Sequence, residues 1–204
     1  MKAYHLLFAA IAFLAILVIP AASQPKRAGT IALVNGRVIV TSRGVTFPAE
    51  PGSPVYEGDR IRSFNPGKAK IVFTDDTIIN IGRDTEFEIK TASFSLFRRD
   101  SSFDVFRGRF KVAVGKLFTG TSQFELRTPT VVTGVRGTVF WGDTELDAMC
   151  ALQGEIEVTP VSNPSARQYL KDGQCAAGYK GGNPAAISPT AEAVRGYIDE
   201  VTPE

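Results

Sequence analysis

The chain contains one histidine, one tryptophan, two methionines and two cysteines among 204 residues. The histidine, His5, sits at the head of an N-terminal apolar segment, so the remainder of the chain has no imidazole. That absence excludes a Ser-His-Asp triad, a Cys-His pair and any histidine-containing metal site there. Two cysteines without histidine cannot complete a zinc site. A strong charge of either sign is also missing, with a formal net charge of +2. A near-neutral chain gives no reason to expect nucleic acid as a partner. A long hydrophobic run is missing too: the apolar stretch at positions 6–19 has fourteen residues, whereas a membrane span needs roughly 20. The expectation is therefore a protein with no catalytic residues, no metal and no cofactor. Carboxylate chemistry such as glycoside hydrolysis, or Ser-Lys chemistry, is the enzymatic alternative, and no particular residues signal either.

The N-terminus has the composition of a targeting segment. Lys2 and His5 precede the apolar run, and Pro20, Ala21, Ala22 and Ser23 follow it. A basic start, a short apolar centre and a small-residue site describe a secretory signal peptide at 1–23. An uncleaved anchor, with the run extended to Ala22, is the alternative, and only then is membrane attachment expected. Cleavage after Ser23 leaves 181 residues, enough for one domain with a proper core. The expected location is periplasmic or secreted. In an oxidising compartment an even cysteine count reads as a disulfide. Cys150 precedes Gly154 in an apolar strand and Cys175 lies in the following segment, so an antiparallel return would join them.

What is present is β-strand pattern. In EFEIKT, Phe87 and Ile89 point one way while Glu86, Glu88 and Lys90 point the other. QFELRT (Phe124, Leu126) and GEIEVT (Ile156, Val158) alternate in the same way. One-sided burial of this kind fits antiparallel sheet. Asn35-Gly36 and Asp75-Asp76 read as hairpin turns. Glu50-Pro51-Gly52-Ser53-Pro54 and Asn65-Pro66-Gly67 read as loops. RQYLKDGQCAAGYKGG reads as a last irregular hairpin. The same short motif occurs three times, as NGRVIV, RGRFKV and QGEIEV, at uneven spacing. That argues for one strand-turn-strand unit used three times, not a solenoid. Near the C-terminus, Ser188-Pro189 reads as a helix start, with Ala191, Val194, Ile198 and Val201 at helical spacing. The fold class is all-β, a mostly antiparallel twisted β-sandwich or irregular β-roll at 29–177, with a short C-terminal helical tail at 178–204. The alternation fits sandwich and roll equally.

The most informative stretch is TPTVVTGVRGTVF. Gly134 and Gly137 flank Val135 and Arg136 between two β-branched runs. It reads as strand, tight corner, strand, with Thr138 opening the second strand. This string resembles the signature of the FecR-domain family. GTIALVNGRVIVTSRG, VYEGDRIRSF with Gly58-Asp59, and KAKIVFTDDTIINIGRDTEFEI resemble its earlier parts. LQGEIEV and LKDGQCA resemble its close. Asp76 stands where that family usually has Gly. The resemblance covers about 29–174. It implies a non-enzymatic interaction or sensor module of the bacterial envelope, whose partner is an envelope protein or a cell-surface glycan. The family's regulators carry a sigma-factor-binding segment and a transporter-contacting domain, and the sequence gives no counterpart of either. A glycan or peptidoglycan binding module is the alternative reading. The candidate interaction corner is Gly134, Val135, Arg136, Gly137 and Thr138. Arg136 is expected to lock that corner more readily than to read a partner's carboxylate or phosphate.

Three further features favour structure over function. Between Arg98 and Arg136 eight basic residues face three acidic ones. A polyanion site would need them on one face, and solvated strand faces are the expected outcome. Asp143, Glu145 and Asp147 alternate, which on one strand face would suit calcium, but without a recognised loop spacing a solvated turn is expected. The mid-chain phenylalanines are expected in the core.

Overall fold

A computed structural model describes residues 26–95, 98–116, 121–135 and 137–203. The expected signal peptide at 1–23 lies outside the described residues, as does Arg136. Among the described residues two nine-stranded sheets, A and B, stack face to face, and the chain crosses between them throughout. Sheet A takes β1 (Arg27–Asn35), sheet B takes β2 (Val38–Ser42) and β3 (Val45–Pro48), sheet A takes β4 (Pro54–Tyr56), and sheet B takes β5 (Arg60–Ser63). The hairpin β6 (Lys68–Phe73) and β7 (Ile78–Ile81) follows in sheet A, then β8 (Glu86–Ser95) and β9 (Arg98–Arg107) in sheet B. β10 (Arg109–Ala113) returns to sheet A, and β11 (Thr121–Arg127) and β12 (Val131–Val135) lie in sheet B. The order closes with β13 (Val139–Asp143) and β14 (Ala148–Gln153) in A, β15 (Glu155–Pro160) and β16 (Gln168–Lys171) in B, and β17 (Cys175–Ala177) and β18 (Ala185–Ile187) in A. Successive turns of chain therefore extend both sheets, a sandwich built in the manner of a roll. Among the described residues all ladders are antiparallel except β9 with β11, which run parallel because β10 crosses to sheet A between them.

The alternating strands behave as their sequences demand. Phe87, Ile89, Leu126, Ile156 and Val158 are all fully buried, and Phe124 nearly so. They join the inner residues of sheet A in one core. Phe103 is the hub of its aromatic part, with ring centroids 4.9 Å from Phe73, 5.5 Å from Phe87 and 5.4 Å from Phe124. Phe124 continues to Phe140, and Phe140 to Phe110. The expectation that the phenylalanines fill the core holds for these, while Phe94 and Phe106 are partly exposed.

The thrice-used motif marks the crossings. Gly36 links β1 in sheet A to β2 in sheet B, Gly108 links β9 in B to β10 in A, and Gly154 links β14 in A to β15 in B. Each has positive φ, of 71°, 98° and 86°. Gly108 shows why the residue is glycine: a Cβ there would lie 2.5 Å from Thr85 Cα. Thr85 Oγ1 also accepts the Arg109 N–H at 3.2 Å, which knits the corner. Asn35-Gly36 is thus a corner between sheets and not the expected hairpin, since β1 pairs with β4 and β6 while β2 pairs with β3 and β5. RQYLKDGQCAAGYKGG is likewise not a hairpin. β16 pairs with β15 in sheet B, and β17 pairs with β14 in sheet A. A local turn signal reports a reversal and is silent on which sheet receives the next strand. Asp75-Asp76 is a true hairpin turn between β6 and β7, with Asp76 at φ 62°.

Cys150 and Cys175 are directly opposed on β14 and β17 and form a disulfide. They lie on the outer face of sheet A, in a second cluster with Trp141, Ala148 and Val201. Helix α1 (Ala191–Val201) covers that cluster. Its N-cap is Thr190, whose Oγ1 accepts the Ala193 N–H at 3.1 Å, two residues beyond the Ser188 expected. Tyr197 stacks on Trp141 at 4.8 Å and Val201 is fully buried, so the described part of 178–204 contributes a short 3-10 turn at Tyr179–Gly181, one strand and a docked helix.

Candidate functional site

The described part of the corner divides into two glycines with different tasks. Gly134 is a strand residue of β12, opposite Glu125 on β11 and Glu157 on β15. Among the described residues, a Cβ on Gly134 would meet nothing within 4 Å. Gly137 is the turning point from sheet B to sheet A, with φ +70°, and a Cβ there would press on Lys116 at 3.1–3.2 Å from its Cβ and Cα. Val135 faces the core. Thr138 is buried and its Oγ1 donates to the Glu155 carbonyl at 2.8 Å, while its own carbonyl accepts the Val114 N–H. The corner is therefore tied to β15 and to the end of β10 through Thr138. The expected lock by Arg136 falls outside the described residues.

Gly134 opens a shallow groove of about 630 Å³ on the outer face of sheet B. The floor runs across β9, β11, β12 and β15, with Asp100, Ser102, Gln123, Glu125, Val132 and Thr159 along it. Past Glu157 it continues toward Glu155 and the half-exposed Tyr169. Its carboxylates are matched by cations at the rim. Arg98 meets Asp100 at 3.3 Å, Arg127 meets Glu125 at 3.3 Å, Arg167 meets Glu157 at 3.3 Å and Lys171 meets Glu155 at 3.4 Å. Tyr169 O–H donates to Glu157 at 3.2 Å. Among the described residues the groove is thus polar and its charges balance, which suits hydrogen bonding with an extended ligand. A second ion-pair ladder lies further along the same face. Arg60 Nη2 meets Glu88 at 2.7 Å and Lys90 meets it at 2.9 Å. Burial alone would raise the Glu88 carboxyl, and the hydrogen bonds from Lys90 and Arg60 outweigh that and hold it below its ordinary value.

The basic run of 98–136 is dispersed. Arg99 is buried and points inward, with Nε 2.7 Å from Asp75 Oδ2 and Nη1 donating to the Gly115 carbonyl at 2.6 Å. Arg109 is buried against Asp143 at 3.1 Å and also pairs with Glu200 of α1. Arg98, Arg107 and Arg127 each face a carboxylate. No single basic face forms from the described members. The acidic alternation also disperses. Asp143 is buried, accepting the Glu145 and Leu146 N–H groups, Glu145 is exposed, and Asp147 accepts Thr130 Oγ1 and the Lys180 N–H. Among the described residues no group of histidine, cysteine or carboxylate side chains is arranged to hold a metal ion.

The groove residues outside the corner were missed in the sequence. Their signal was the polar half of the alternation in QFELRT and GEIEVT. What was absent was the parallel β9–β11 register that brings Asp100 beside Gln123.

The class these features define is a two-sheet β domain with a polar groove across one outer face. Residues 59–159 match the model of the FecR protein family, and the chain is a FecR-domain protein. The match begins at β5 and ends in β15, so it includes the groove strands β9, β11 and β12. Two crystal structures of a candidate anti-sigma factor from Parabacteroides distasonis, at 2.50 and 1.65 Å resolution, share the fold with TM-scores of 0.55. They are 16% and 17% identical in sequence over 68% of this chain. The similarity spans 63–64% of the length of those structures. No curated protein sequence matches the chain.

Proposed function

We propose that this FecR domain is a non-enzymatic interaction and sensor module of the bacterial envelope. Its recognition surface is the outer face of sheet B around Gly134. The observation that carries the reading is the coincidence of the family match with the groove: the segment 59–159 supplies most of its strands. The regulatory character of the family and the shared fold with a candidate anti-sigma factor support signalling over catalysis. The chain's chemistry agrees, since it has no histidine after His5. Export to an oxidising compartment is supported by the Cys150–Cys175 disulfide. The bound partner is an envelope protein that lies along the groove.

A second reading has its own observation. The groove floor is more polar than apolar, the charges of its described residues are matched by cations at the rim, and Tyr169 offers an exposed ring at one end. Protein interfaces concentrate affinity in buried aromatic and arginine anchors, and the floor offers few. That favours a neutral glycan as the alternative ligand.

Gly134→Leu tests the surface, because it fills the groove where no atom of a described residue stands within 4 Å. Wild type and variant, matched in melting temperature, are immobilised and exposed to envelope extract. A protein retained by the wild type and lost from the variant supports the proposal. Retention of glycan alone transfers it to the second reading. Equal retention by both proteins removes the groove from recognition.

A further inference from the structure

The outer face of sheet A holds a different kind of site. Helix α1 stands on that sheet by its C-terminal half. Tyr197 stacks on Trp141, Val201 is fully buried, Glu200 pairs with Arg109, and the Asp199 carbonyl accepts Lys68 Nζ at 2.7 Å. Its N-terminal half does not reach the sheet. Below Val194 a cavity of about 200 Å³ remains. Two residue choices create it. Ala148 and Ala177 are directly opposed on β14 and β17, so the floor carries two methyl groups where larger side chains would have filled the space. The walls are the rings of Trp141 and Tyr197 and the disulfide at Cys150. Among the described residues no charged side chain lines it. At its mouth Leu146 and Ile187 are 46% and 38% exposed, an apolar rim open to solvent.

We propose that this cavity binds a small neutral hydrocarbon ligand, one aromatic ring with a short substituent. Size and polarity choose the class. An apolar cavity of about 150 Å³ holds benzene and stays dry when empty, so the larger space here admits a ring with one or two further carbons. A charged ligand would lose its hydration with no counter-charge in the lining to replace it. Polarizable walls of indole, phenol and sulfur suit an aromatic guest. The site is independent of the groove on sheet B, which lies on the opposite sheet.

Trp141 is the only tryptophan of the chain and part of the cavity wall, so its fluorescence reports occupancy directly. The experiment titrates the full disulfide-bonded protein with ethylbenzene and, separately, with benzoate as a charged counterpart. A saturable change in Trp141 emission with ethylbenzene is expected, together with a higher melting temperature, because a ligand bound only to the folded state stabilises it. Benzoate is expected to give neither. Ala148→Leu fills the cavity and is expected to weaken ethylbenzene at least tenfold. Ala177→Leu does the same from the opposite strand should the first variant fail to fold. Val194→Ala enlarges the space from the helix side and is expected to bind butylbenzene more tightly than the wild type does. A linear, unsaturable response would overturn the proposal. So would equal binding of benzoate, or unchanged ethylbenzene affinity in a folded cavity-filling variant.

Discussion

Gly137→Val is the sharpest perturbation of the crossing from sheet B to sheet A. Gly137 has φ +70°, where a β-branched residue is strongly disfavoured. The left-handed region alone costs an L-residue about 1–2 kcal/mol. The new side chain would also press on Lys116, within 3.1–3.2 Å of its Cβ and Cα, forcing that residue aside at about 0.5–1.5 kcal/mol for an off-rotamer side chain. The sum is about 1.5–3.5 kcal/mol, equivalent to a fall of about 3–14 °C in melting temperature for a domain of this size. Gly134→Val, three residues earlier, is the internal control. It lies inside a strand with open space, so it should stay within about 1 kcal/mol of wild type and can stabilise. Gly137→Asn should recover part of the loss, since Asn visits the left-handed region at lower cost. The assay is thermal unfolding followed by circular dichroism, with urea midpoints as a second measure. Equal losses at Gly134 and Gly137, or no loss at Gly137, would refute the assignment of the corner.

Asp75→Ala removes the partner of buried Arg99 and should cost about 3–5 kcal/mol by stranding a charge in the core; a double-mutant cycle with Arg99→Met should show strong coupling between the two sites in urea unfolding. Replacing Cys150 and Cys175 by alanine removes a bridge spanning 25 residues, and should cost about 3 kcal/mol. Thiol labelling of the denatured, unreduced wild type should find no free cysteine. Glu88 has a lowered folded-state pKa, so its contribution is fully present above its ordinary value of 4.5 and is lost as pH falls through the lower folded value. Urea midpoints measured below pH 4.5 should fall less steeply with acid in Glu88→Gln than in wild type.

The strands of sheet B were legible because their faces differ. Phe87, Ile89, Phe124, Leu126, Ile156 and Val158 repeat at period two, and all are buried as that period demands. The recurring Gly-charged-apolar motif was legible as a unit, but its meaning was not. Gly36, Gly108 and Gly154 turn the chain from one sheet to the other, and that depends on which strands stack, a long-range property. Arg99 and Arg109 read as surface charges because nothing local to them shows Asp75 or Asp143, which arrive from other strands. The groove was illegible for the same reason. Asp100, Gln123 and Gly134 meet only through the parallel β9–β11 register and the β11–β12 pairing. The corner segment TPTVVTGVRGTVF pointed to the right neighbourhood. It could not separate Gly134, which opens a surface, from Gly137, which turns a chain.

The most direct measurement of the recognition claim is in-cell photocrosslinking from single positions on the two outer faces. A photoreactive residue replaces Val132, on the groove floor, and in a second strain Lys70, on β6 of sheet A. The account expects discrete higher-mass adducts from position 132 and none from position 70, with the adducts lost when Gly134→Leu is added. Adducts from position 70 alone, or adducts from position 132 that persist when the groove is filled, would contradict it.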